Sequence, residues 1–338
     1  MSMADVMKEF NKKAKEDIVK QGLTSYTFKR IPFTSPRMNY CTYGGLPVGK
    51  LIEFYGEEHG GKTTTALDIV ANFQQMSEDR KVLWCDCENT LDPEWAKKLG
   101  VDIDDMYILK PENQSAEEIF QFVLDSIDTD EIGLVVIDSL GVMISAQALD
   151  KSMEEKTYAG ISGALTTFGG KAEMLCQKHQ CTCIGINQIR DDMNSMWGGI
   201  KTPGGKAWKH NCSVRMQFTR GSFIDEKGNE IKRSSESPAG NIVMMSMTKN
   251  KSCPPNRRTG FYTINYEYGV DYLKDLVELA IKYGIIDKAG AWFSIINPET
   301  GEQIEKLQGQ ASVNAYLEDP DNEPVLTLIE TYVEEHIQ

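Results

Sequence analysis

Short apolar runs alternate with amphipathic stretches through the middle of the chain. Residues 51–55, 82–85, 134–137 and 181–186 are the apolar runs, each four to six residues long. Between the runs, apolar residues recur every three or four positions, as in 64–76, and this spacing predicts helices. Strands that alternate with helices predict an α/β fold whose central sheet is mostly parallel and twisted.

The stretch before this sheet has a different pattern. Apolar residues at helical spacing over 3–20 predict a helix that is too short to form a domain alone. Its apolar stripe must therefore pack on this chain or on a neighbouring subunit. Residues 26–33 alternate and contain Pro32, which suits a short edge strand. We interpret residues 1–35 as an oligomerisation segment made of a helix and a strand.

The pattern changes again at about Asp271. A helical stretch over 273–283 is followed by an apolar strand over 291–296, and two amphipathic stretches close the chain. This order predicts a small α+β domain over 271–338, packed behind a larger core that spans 36–270.

Composition and charge limit the class of protein. Of 338 residues, 41% are hydrophobic and 25% are charged, which is ordinary for a globular protein. No run of eighteen apolar residues is present, so no membrane span is expected. Residues 1–20 lack the apolar core of a signal peptide, which favours a cytoplasmic location. The net charge of −14 alone argues against nucleic-acid binding, but a local basic path can still exist.

Two C-x-C pairs, Cys85/Cys87 and Cys181/Cys183, lie in or beside apolar runs. The period of a strand would place the members of each pair on one face. Zinc sites favour two to four intervening residues and a matched second pair. Buried reduced thiols in a cytosolic protein therefore explain these pairs better than a metal site does.

The run at 51–55 leads into a segment that fits the phosphate-loop pattern G-x-x-x-x-G-K-[ST]. Its glycines let successive backbone N–H groups point at an anion, and the following helix adds the positive end of its dipole. Lys62 would reach the β- and γ-phosphates, and the Thr63 hydroxyl would bind Mg²⁺. Because strand, loop and helix follow in the required order, an ATP or GTP site is favoured over a chance glycine-rich turn. The predicted nucleotide contacts are Gly56, Glu57, Glu58, His59, Gly60, Gly61, Lys62, Thr63 and Thr64.

Polar residues end the other three apolar runs. In a parallel sheet the carboxyl ends of all strands share one edge, so these residues are expected to converge beside the phosphate loop. The strand-end residues are Asp86, Glu88, Asp138, Ser139, Asn187 and Gln188.

Three of these residues have the chemistry of a nucleotide hydrolase. Asp138 fits a second carboxylate for Mg²⁺, and Glu88 is placed to orient or deprotonate a water. Gln188 can bond to a γ-phosphate and so report its presence. Asp86 and Ser139 are better explained as helix caps.

The segment 189–206 begins directly after Gln188 and has no periodicity. We call it the second loop. A loop of this length inside a compact domain is usually functional or disordered. It combines cations for phosphates with apolar groups that can stack on bases, as single-stranded nucleic acid requires. A solvated flexible loop and a loop that holds a protein partner remain alternatives. The candidate DNA contacts are Arg190, Met196, Trp197, Gly198, Lys201, Gly204, Gly205 and Lys206.

Two further segments have weaker signals. The first loop, 149–160, leaves the Asp138 strand and carries two lysines. Lys249 and Lys251 follow the strand predicted over 242–248. They could be supplied to a nucleotide on an adjacent subunit, as finger residues are. An exposed basic turn is an equally good explanation of them.

The same segments, taken in order, resemble the bacterial RecA recombinases over nearly the whole chain. Spaced blocks are far more specific than a phosphate loop alone, and the last block excludes most other P-loop ATPases. The blocks are Gly44-Gly45-Leu46-Pro47, the phosphate loop, Asp86-Cys87-Glu88 with Leu91-Asp92-Pro93, Lys98-Leu99-Gly100-Val101-Asp102, Asn187-Gln188-Ile189-Arg190, Lys249-Asn250-Lys251 and Ala289-Gly290-Ala291-Trp292.

The resemblance implies a RecA-like P-loop core and a helical filament on single-stranded DNA. That filament would use ATP and Mg²⁺ to pair with homologous duplex and exchange strands in recombination, repair and the response to DNA damage. The resemblance also implies LexA-type repressors and loader proteins as partners, and association with the nucleoid. Two alternatives are a RecA-like ring motor such as a helicase, and an ATP-bound scaffold or co-protease filament with little hydrolysis.

The resemblance also assigns residues by position. Glu88, with Lys62 and Gln188, matches the catalytic set. Asp92 and Trp95 match residues at the adenine, and Tyr266 is a further candidate for cofactor binding. Lys249 and Lys251 match lysines that reach the ATP of the neighbouring protomer, and the two loops match the two DNA loops.

Departures from the common pattern lie in the phosphate loop. Glu57, His59 and Gly60 stand where the family usually has proline and two serines. They leave the expectation of binding intact and open the question of the hydrolysis rate. A divergent copy carried by a phage or mobile element would fit these changes.

Overall fold

A computed structural model describes residues 2–14, 29–150, 160–191, 200–226, 228–232 and 237–337. The helices are α1 (Met3–Ala14), α2 (Pro36–Thr42), α3 (Lys62–Met76), α4 (Pro93–Lys98), α5 (Ala116–Asp128), α6 (Ala146–Leu149), α7 (Ser162–His179), α8 (Gly205–Asn211), α9 (Tyr272–Tyr283), α10 (Gln310–Glu318) and α11 (Glu323–Ile337). The strands are β1 (Arg30–Ile31), β2 (Leu46–Pro47), β3 (Leu51–Gly56), β4 (Lys81–Asp86), β5 (Met106–Leu109), β6 (Ile132–Asp138), β7 (Thr182–Gln188), β8 (Arg190–Asp191), β9 (Ile200–Lys201), β10 (Val214–Ile224), β11 (Glu230–Ile231), β12 (Gly240–Asn250), β13 (Thr259–Asn265), β14 (Gly269–Val270), β15 (Ile286–Ala289), β16 (Trp292–Ile296) and β17 (Gln303–Gln308).

One large sheet organises the molecule, with the strand order β14-β13-β12-β10-β3-β7-β6-β4-β5. The strands from β10 to β5 are parallel, and β12, β13 and β14 continue the sheet in antiparallel order. Parallel strands are covered on both faces, which explains why their sequences are continuous apolar runs. The predicted α/β fold with a mostly parallel sheet is confirmed.

The phosphate loop connects β3 to α3 and depends on glycine at its start. Gly56 has φ 154°, and a Cβ there would lie 2.0 Å from the Phe218 carbonyl oxygen on β10. Only a residue without a side chain allows the loop to pass so close to the neighbouring strand. Gly61 has φ 92° and caps the start of α3.

Helices cover the two faces of the sheet and bury a separate core on each. On one face α3 packs against Phe54, Trp84 and Phe218, and on the other α7 packs against Leu83 and Val135. Cys85, Cys181 and Cys183 belong to the second core, where burial raises the pKa of each thiol. Within the described ranges, no group of three or more His, Cys, Asp or Glu side chains is arranged to hold a metal.

A smaller unit follows β14. The antiparallel strands β15, β16 and β17 and the helices α9, α10 and α11 surround a third apolar core. It is joined to the main sheet through α2, where the Ser35 hydroxyl donates to the Asp275 carboxylate, and through an Arg257 hydrogen bond of 2.6 Å to the Ile337 carbonyl. Burial raises the pKa of Asp275 to about 8. The division into 1–35, 36–270 and 271–338 stays a prediction.

The N-terminal segment contains the predicted helix and strand in shorter form. α1 ends at Ala14, has no buried residue, and exposes Met3, Val6 and Phe10. β1 pairs with β2 in antiparallel order, ahead of Pro32. Residues 15–28, which the sequence prediction also covered, lie outside the described residues. None of the helices in the described ranges is long and apolar enough to cross a membrane.

Candidate functional site

A cavity of about 760 Å³ lies at the carboxyl ends of the parallel strands, between the phosphate loop and β12. It brings together residues that are far apart in the sequence, as the strand-end argument requires. The predicted residues in its wall are Glu58, His59, Gly60, Gly61, Lys62, Thr63, Thr64, Glu88, Trp95, Asp138, Gln188 and Tyr266.

Lys62 is the buried cation of this cavity. Its Nζ donates to the carbonyl oxygens of Gly56 at 3.2 Å and Glu57 at 2.6 Å, which lie behind the cavity wall. Burial lowers the pKa of Lys62, while the carboxylates of Asp138 and Glu88 oppose the shift. An ammonium held by carbonyls of the loop can exchange them for phosphate oxygens without moving far.

His59 has φ 56°, a left-handed conformation that residues with a Cβ adopt at a cost of about 1 kcal/mol or more. The departure from the usual loop sequence thus coincides with a strained backbone position. The loop nevertheless keeps its turn and its connection to α3.

Thr63 and Asp138 form an oxygen pair at the start of α3. The Thr63 hydroxyl donates to the Asp138 carboxylate at 2.7 Å. Burial raises the pKa of Asp138 to about 6, and the Thr63 hydrogen bond opposes this rise. A hydroxyl beside a carboxylate supplies the hard oxygen ligands that Mg²⁺ prefers, so the donor set fits this ion.

The raised pKa gives a prediction for Asp138→Asn. Because the folded chain binds this proton more tightly than the unfolded chain, the free energy of unfolding falls as the pH rises from about 4 to about 6. Removing the charge should stabilise the nucleotide-free protein at neutral pH by on the order of 1–3 kcal/mol. The difference in the free energy of unfolding between Asp138→Asn and the unmodified chain should shrink as the pH is lowered from about 6 to about 4. Thermal unfolding at a series of pH values measures it.

The same variant should lose the additional stabilisation that Mg²⁺ with ATP gives over ATP alone, since Asp138 is the proposed carboxylate for the metal. Unfolding of the unmodified chain with and without Mg²⁺ is the control. A variant that kept the full Mg²⁺-dependent shift would contradict the assignment.

Glu88 is held by two side chains at neighbouring strand ends. Gln188 Nε2 donates to Glu88 Oε1 at 3.0 Å, and the Ser139 hydroxyl donates to the same oxygen. Ser139 takes the predicted N-cap position, at the 3-10 turn Leu140–Val142, but its hydroxyl makes no cap bond and donates to Glu88 instead. The catalytic candidate and the γ-phosphate sensor candidate lie in direct contact.

Three of the strand-end residues are not in the cavity wall, and one of them is Ser139, which contacts Glu88. The Asp86 carboxylate accepts from the backbone N–H groups of Thr90 and Leu91, so it caps the turn after β4 rather than a helix. Asn187 is buried beside Glu53. Adjacent residues of a strand point to opposite faces, so Gln188 and Asn187 cannot share one site.

At the far end of the cavity Trp95 lies near α3, with its Nε1 3.5 Å from the Thr64 hydroxyl. Tyr266 donates to Asn241 Oδ1 at 2.8 Å. Asp92 is not in the wall, because its carboxylate caps α4 by accepting from the Glu94 and Trp95 backbone.

Sequence reasoning missed several residues of the wall. Asn241 and Ile264 come from the antiparallel strands β12 and β13, and Arg220 lies on β10 beyond the segment that pairs with β3. The position of these strands relative to β3 cannot be read from their sequence. Their alternating polarity predicts that they are strands, but it does not predict which strand each one pairs with. The missed polar residues are Thr90, Arg220 and Asn241, and the missed apolar residues are Ile186 and Ile264.

The second loop is more ordered at its ends than predicted. Arg190 pairs with Lys201 in the ribbon β8–β9, and Arg190 donates to the Gly141 carbonyl at 3.2 Å. Gly204 has φ 98° and starts α8, so Gly205 and Lys206 lie in a helix and the prediction of an irregular segment is wrong there. The helix was missed because paired glycines usually indicate a turn.

The centre of the second loop carries several of the predicted DNA contacts. Met196, Trp197 and Gly198 lie outside the described residues, as do 151–159 of the first loop.

Lys249 and Lys251 lie away from the cavity of their own chain. Lys249 Nζ donates to the carbonyls of Lys209 at 2.6 Å and His210 at 2.8 Å, and Lys251 Nζ donates to His210 at 3.1 Å. These carbonyls end α8, where a cation is favoured by the helix dipole.

Comparison with known proteins identifies the family. The model of the RecA N-terminal domain matches residues 1–271, and that of the RecA C-terminal domain matches residues 274–338. The chain belongs to the RecA family. The function is that of a RecA recombinase, as the motif blocks predicted, and the ring motor and scaffold alternatives are not favoured. RecA-family membership implies a DNA-dependent ATPase that uses ATP and magnesium, binds DNA and forms filaments.

Three curated RecA proteins match this chain over similar lengths. Protein RecA of Ruminococcus albus is 33% identical over 304 residues, which cover 89% of this chain and 72% of that protein. Protein RecA of Leptospira biflexa is 33% identical over 280 residues, covering 82% and 67%. Protein RecA of Fusobacterium nucleatum is 33% identical over 276 residues, covering 81% and 69%.

Proposed function

We propose that this RecA-family chain hydrolyses ATP in the cavity beside the phosphate loop and couples the nucleotide state to single-stranded DNA held by the second loop. The observation that carries the proposal is the position of Gln188. Its amide contacts Glu88 in the cavity, and Arg190, two residues further on, begins the ribbon of the second loop. One strand end therefore serves both sites.

The roles of the nucleotide residues follow from their contacts. Lys62 would exchange the loop carbonyls for the β- and γ-phosphates, and Thr63 and Asp138 would hold Mg²⁺, which would neutralise phosphate charge. Glu88 orients or deprotonates the attacking water. Gln188 would leave Glu88 in order to bind the γ-phosphate.

The adenine end is assigned to Trp95 and Tyr266, which both line the cavity, with Asp92 at the start of α4. Arg220 lines the same end and adds a cation that the family pattern did not predict for this chain. An aromatic ring in the wall can stack on a purine without reading its edge.

Assembly into a helical filament is supported by two exposed apolar features. Met3, Val6 and Phe10 form an uncovered stripe on α1. Tyr107 on the edge strand β5 and Phe122 on α5 line an apolar groove of about 290 Å³. We place α1 of one copy on this groove of the next, because large exposed apolar patches mark interaction sites.

In that filament Lys249 and Lys251 face the ATP of the neighbouring subunit. Arg190, Lys201 and Lys206 contact phosphates of single-stranded DNA, and the remaining second-loop residues contact bases. Homologous duplex DNA is the second nucleic-acid partner. LexA-type repressors and loader proteins complete the proposed partners.

Electron microscopy with single-stranded DNA and a non-hydrolysable ATP analogue tests the assembly. Helical filaments that require both ligands are the expected result, together with ATP turnover that rises when single-stranded DNA is added. Closed hexameric rings, or turnover unchanged at saturating DNA, would contradict the proposal.

A further inference from the structure

Glu53 is a fully buried carboxylate on β3, three residues before the phosphate loop begins. One carboxylate oxygen accepts from Arg215 Nε on β10. The other accepts from Asn187 Nδ2 on β7 at 2.9 Å. Glu53 thus joins the strands on both sides of the nucleotide-bearing strand β3.

Asn187 extends this connection to the second loop. The same Nδ2 group donates to the Pro203 carbonyl at 3.1 Å, at the point where the loop turns into α8. Because both amide hydrogens are used, the side chain has one orientation. Asn187 Oδ1 and Thr202 Oγ1, both buried at this junction, have no hydrogen-bond partner within the described part of the chain.

Arg215 extends the connection in the other direction. It pairs across the sheet with Lys249 on β12, and its carbonyl accepts from the Thr248 hydroxyl at 3.2 Å. Its guanidinium lies 4.6 Å from the ring centroid of Tyr55. β12, which carries Lys249 and leads to Lys251, is therefore paired with the strand that this buried carboxylate contacts.

Stability alone explains this arrangement poorly. Burying an ion pair costs desolvation that its attraction does not reliably recover, and apolar replacements are often neutral or stabilising. Each buried polar atom without a partner adds the cost of its lost hydration. A buried polar network is better explained when it fixes the position of a functional element.

We propose that Glu53 and Asn187 are positioning residues that tie the C-terminal end of the second loop to the nucleotide strand. Gln188 holds the start of the loop at the nucleotide, and Asn187 holds its end through Pro203. Both ends of the loop are then attached to the carboxyl end of β7. A nucleotide that shifts this strand end also shifts the loop, so the affinity for single-stranded DNA depends on the nucleotide state. The inference rests on the proposed function of the second loop.

Asn187→Ala tests the tether, with Thr182→Val as the matched control. Thr182 is buried on the same strand, and its hydroxyl accepts from Gly49 N–H at 3.2 Å, at the end of β7 away from the loop. Both variants lose one buried polar group from β7. If Asn187→Ala does not fold, Asn187→Ser carries the same test, since one hydroxyl hydrogen cannot hold both Glu53 and Pro203.

Two readouts distinguish a positioning role from a purely structural one. Hydrogen exchange of the amides of 204–211 should become faster in Asn187→Ala and stay unchanged in Thr182→Val. The single-stranded DNA concentration for half-maximal ATP turnover should rise about tenfold in Asn187→Ala, within the usual range of coupling between sites. Turnover without DNA should stay within about twofold of the unmodified chain.

The outcomes separate the two proposals. Equal hydrogen exchange and equal DNA dependence in the alanine and valine variants would overturn the tether. An unmodified chain that does not respond to single-stranded DNA would instead contradict the proposed function, and the hydrogen-exchange comparison would still decide whether Asn187 holds the loop. Glu53→Gln keeps an acceptor for Asn187 but places an amide against Arg215. It should lower thermal stability and retain the DNA dependence.

Discussion

Lys62→Ala should abolish ATP turnover and, with it, DNA strand exchange. The ammonium is buried, and its present partners are carbonyls of the loop itself. Charge-assisted bonds are worth about 1.5–3 kcal/mol each, so the loss of two to phosphate should weaken ATP binding at least about 100-fold. A fluorescent ATP analogue measures binding, and phosphate release measures turnover.

Lys97→Ala is the control for a lost lysine. Lys97 is exposed on α4, close to the cavity but outside its wall. Its replacement should change ATP binding and turnover by no more than about twofold. ATP binding in Lys62→Ala at the level of the Lys97 variant would show that the cavity is not the nucleotide site.

Glu88→Gln should separate binding from hydrolysis. The amide keeps an oxygen that can accept from Ser139 and Gln188, so the shape of the site is preserved. It cannot take a proton from water, and general-base catalysis contributes about 10²–10⁴-fold. Turnover should therefore fall by that factor, while filaments on single-stranded DNA still form with ATP.

Glu94→Gln provides the matched control, because Glu94 is an exposed carboxylate on α4. It should leave turnover unchanged within about twofold. Full turnover in the Glu88 variant would remove Glu88 from the catalytic role, and the loss of ATP binding would assign it a binding role instead.

The central sheet and most of the cavity wall could be predicted because they depend on chain order. A parallel strand, its turn and its helix are contiguous, so Lys62, Asp138 and Gln188 follow from their positions after apolar runs. The alternation of side chains along a strand could also have predicted that Asn187 and Gln188 point to opposite faces of the sheet. These two neighbours in the sequence therefore belong to two different sites.

The remaining features depend on distant register. Arg220 and Asn241 enter the cavity because β10 is parallel to β3 and β12 is antiparallel to β10. Neither pairing has a local signal. The same limit applies to Lys249, which contacts the end of α8. This helix could not be predicted, because the two glycines at its start usually indicate a turn.

The hydrogen bond between Gln188 and Glu88 lies at the strand end that also leads into the second loop. In the proposed function, ATP binding exchanges this side-chain pair for contacts with phosphate. His59, with its strained backbone, lies in the wall of the same cavity, and we expect the hydrolysis rate to be the property that its presence changes most.

DNA strand exchange by the unmodified chain tests the account most directly. Single-stranded DNA is incubated with a labelled homologous duplex, ATP and Mg²⁺, and the transfer of the labelled strand is followed. The account predicts transfer that requires ATP, is absent with a heterologous duplex of equal length, and is lost in Lys62→Ala. No transfer from the homologous duplex, under conditions in which the chain binds ATP and single-stranded DNA, would contradict it.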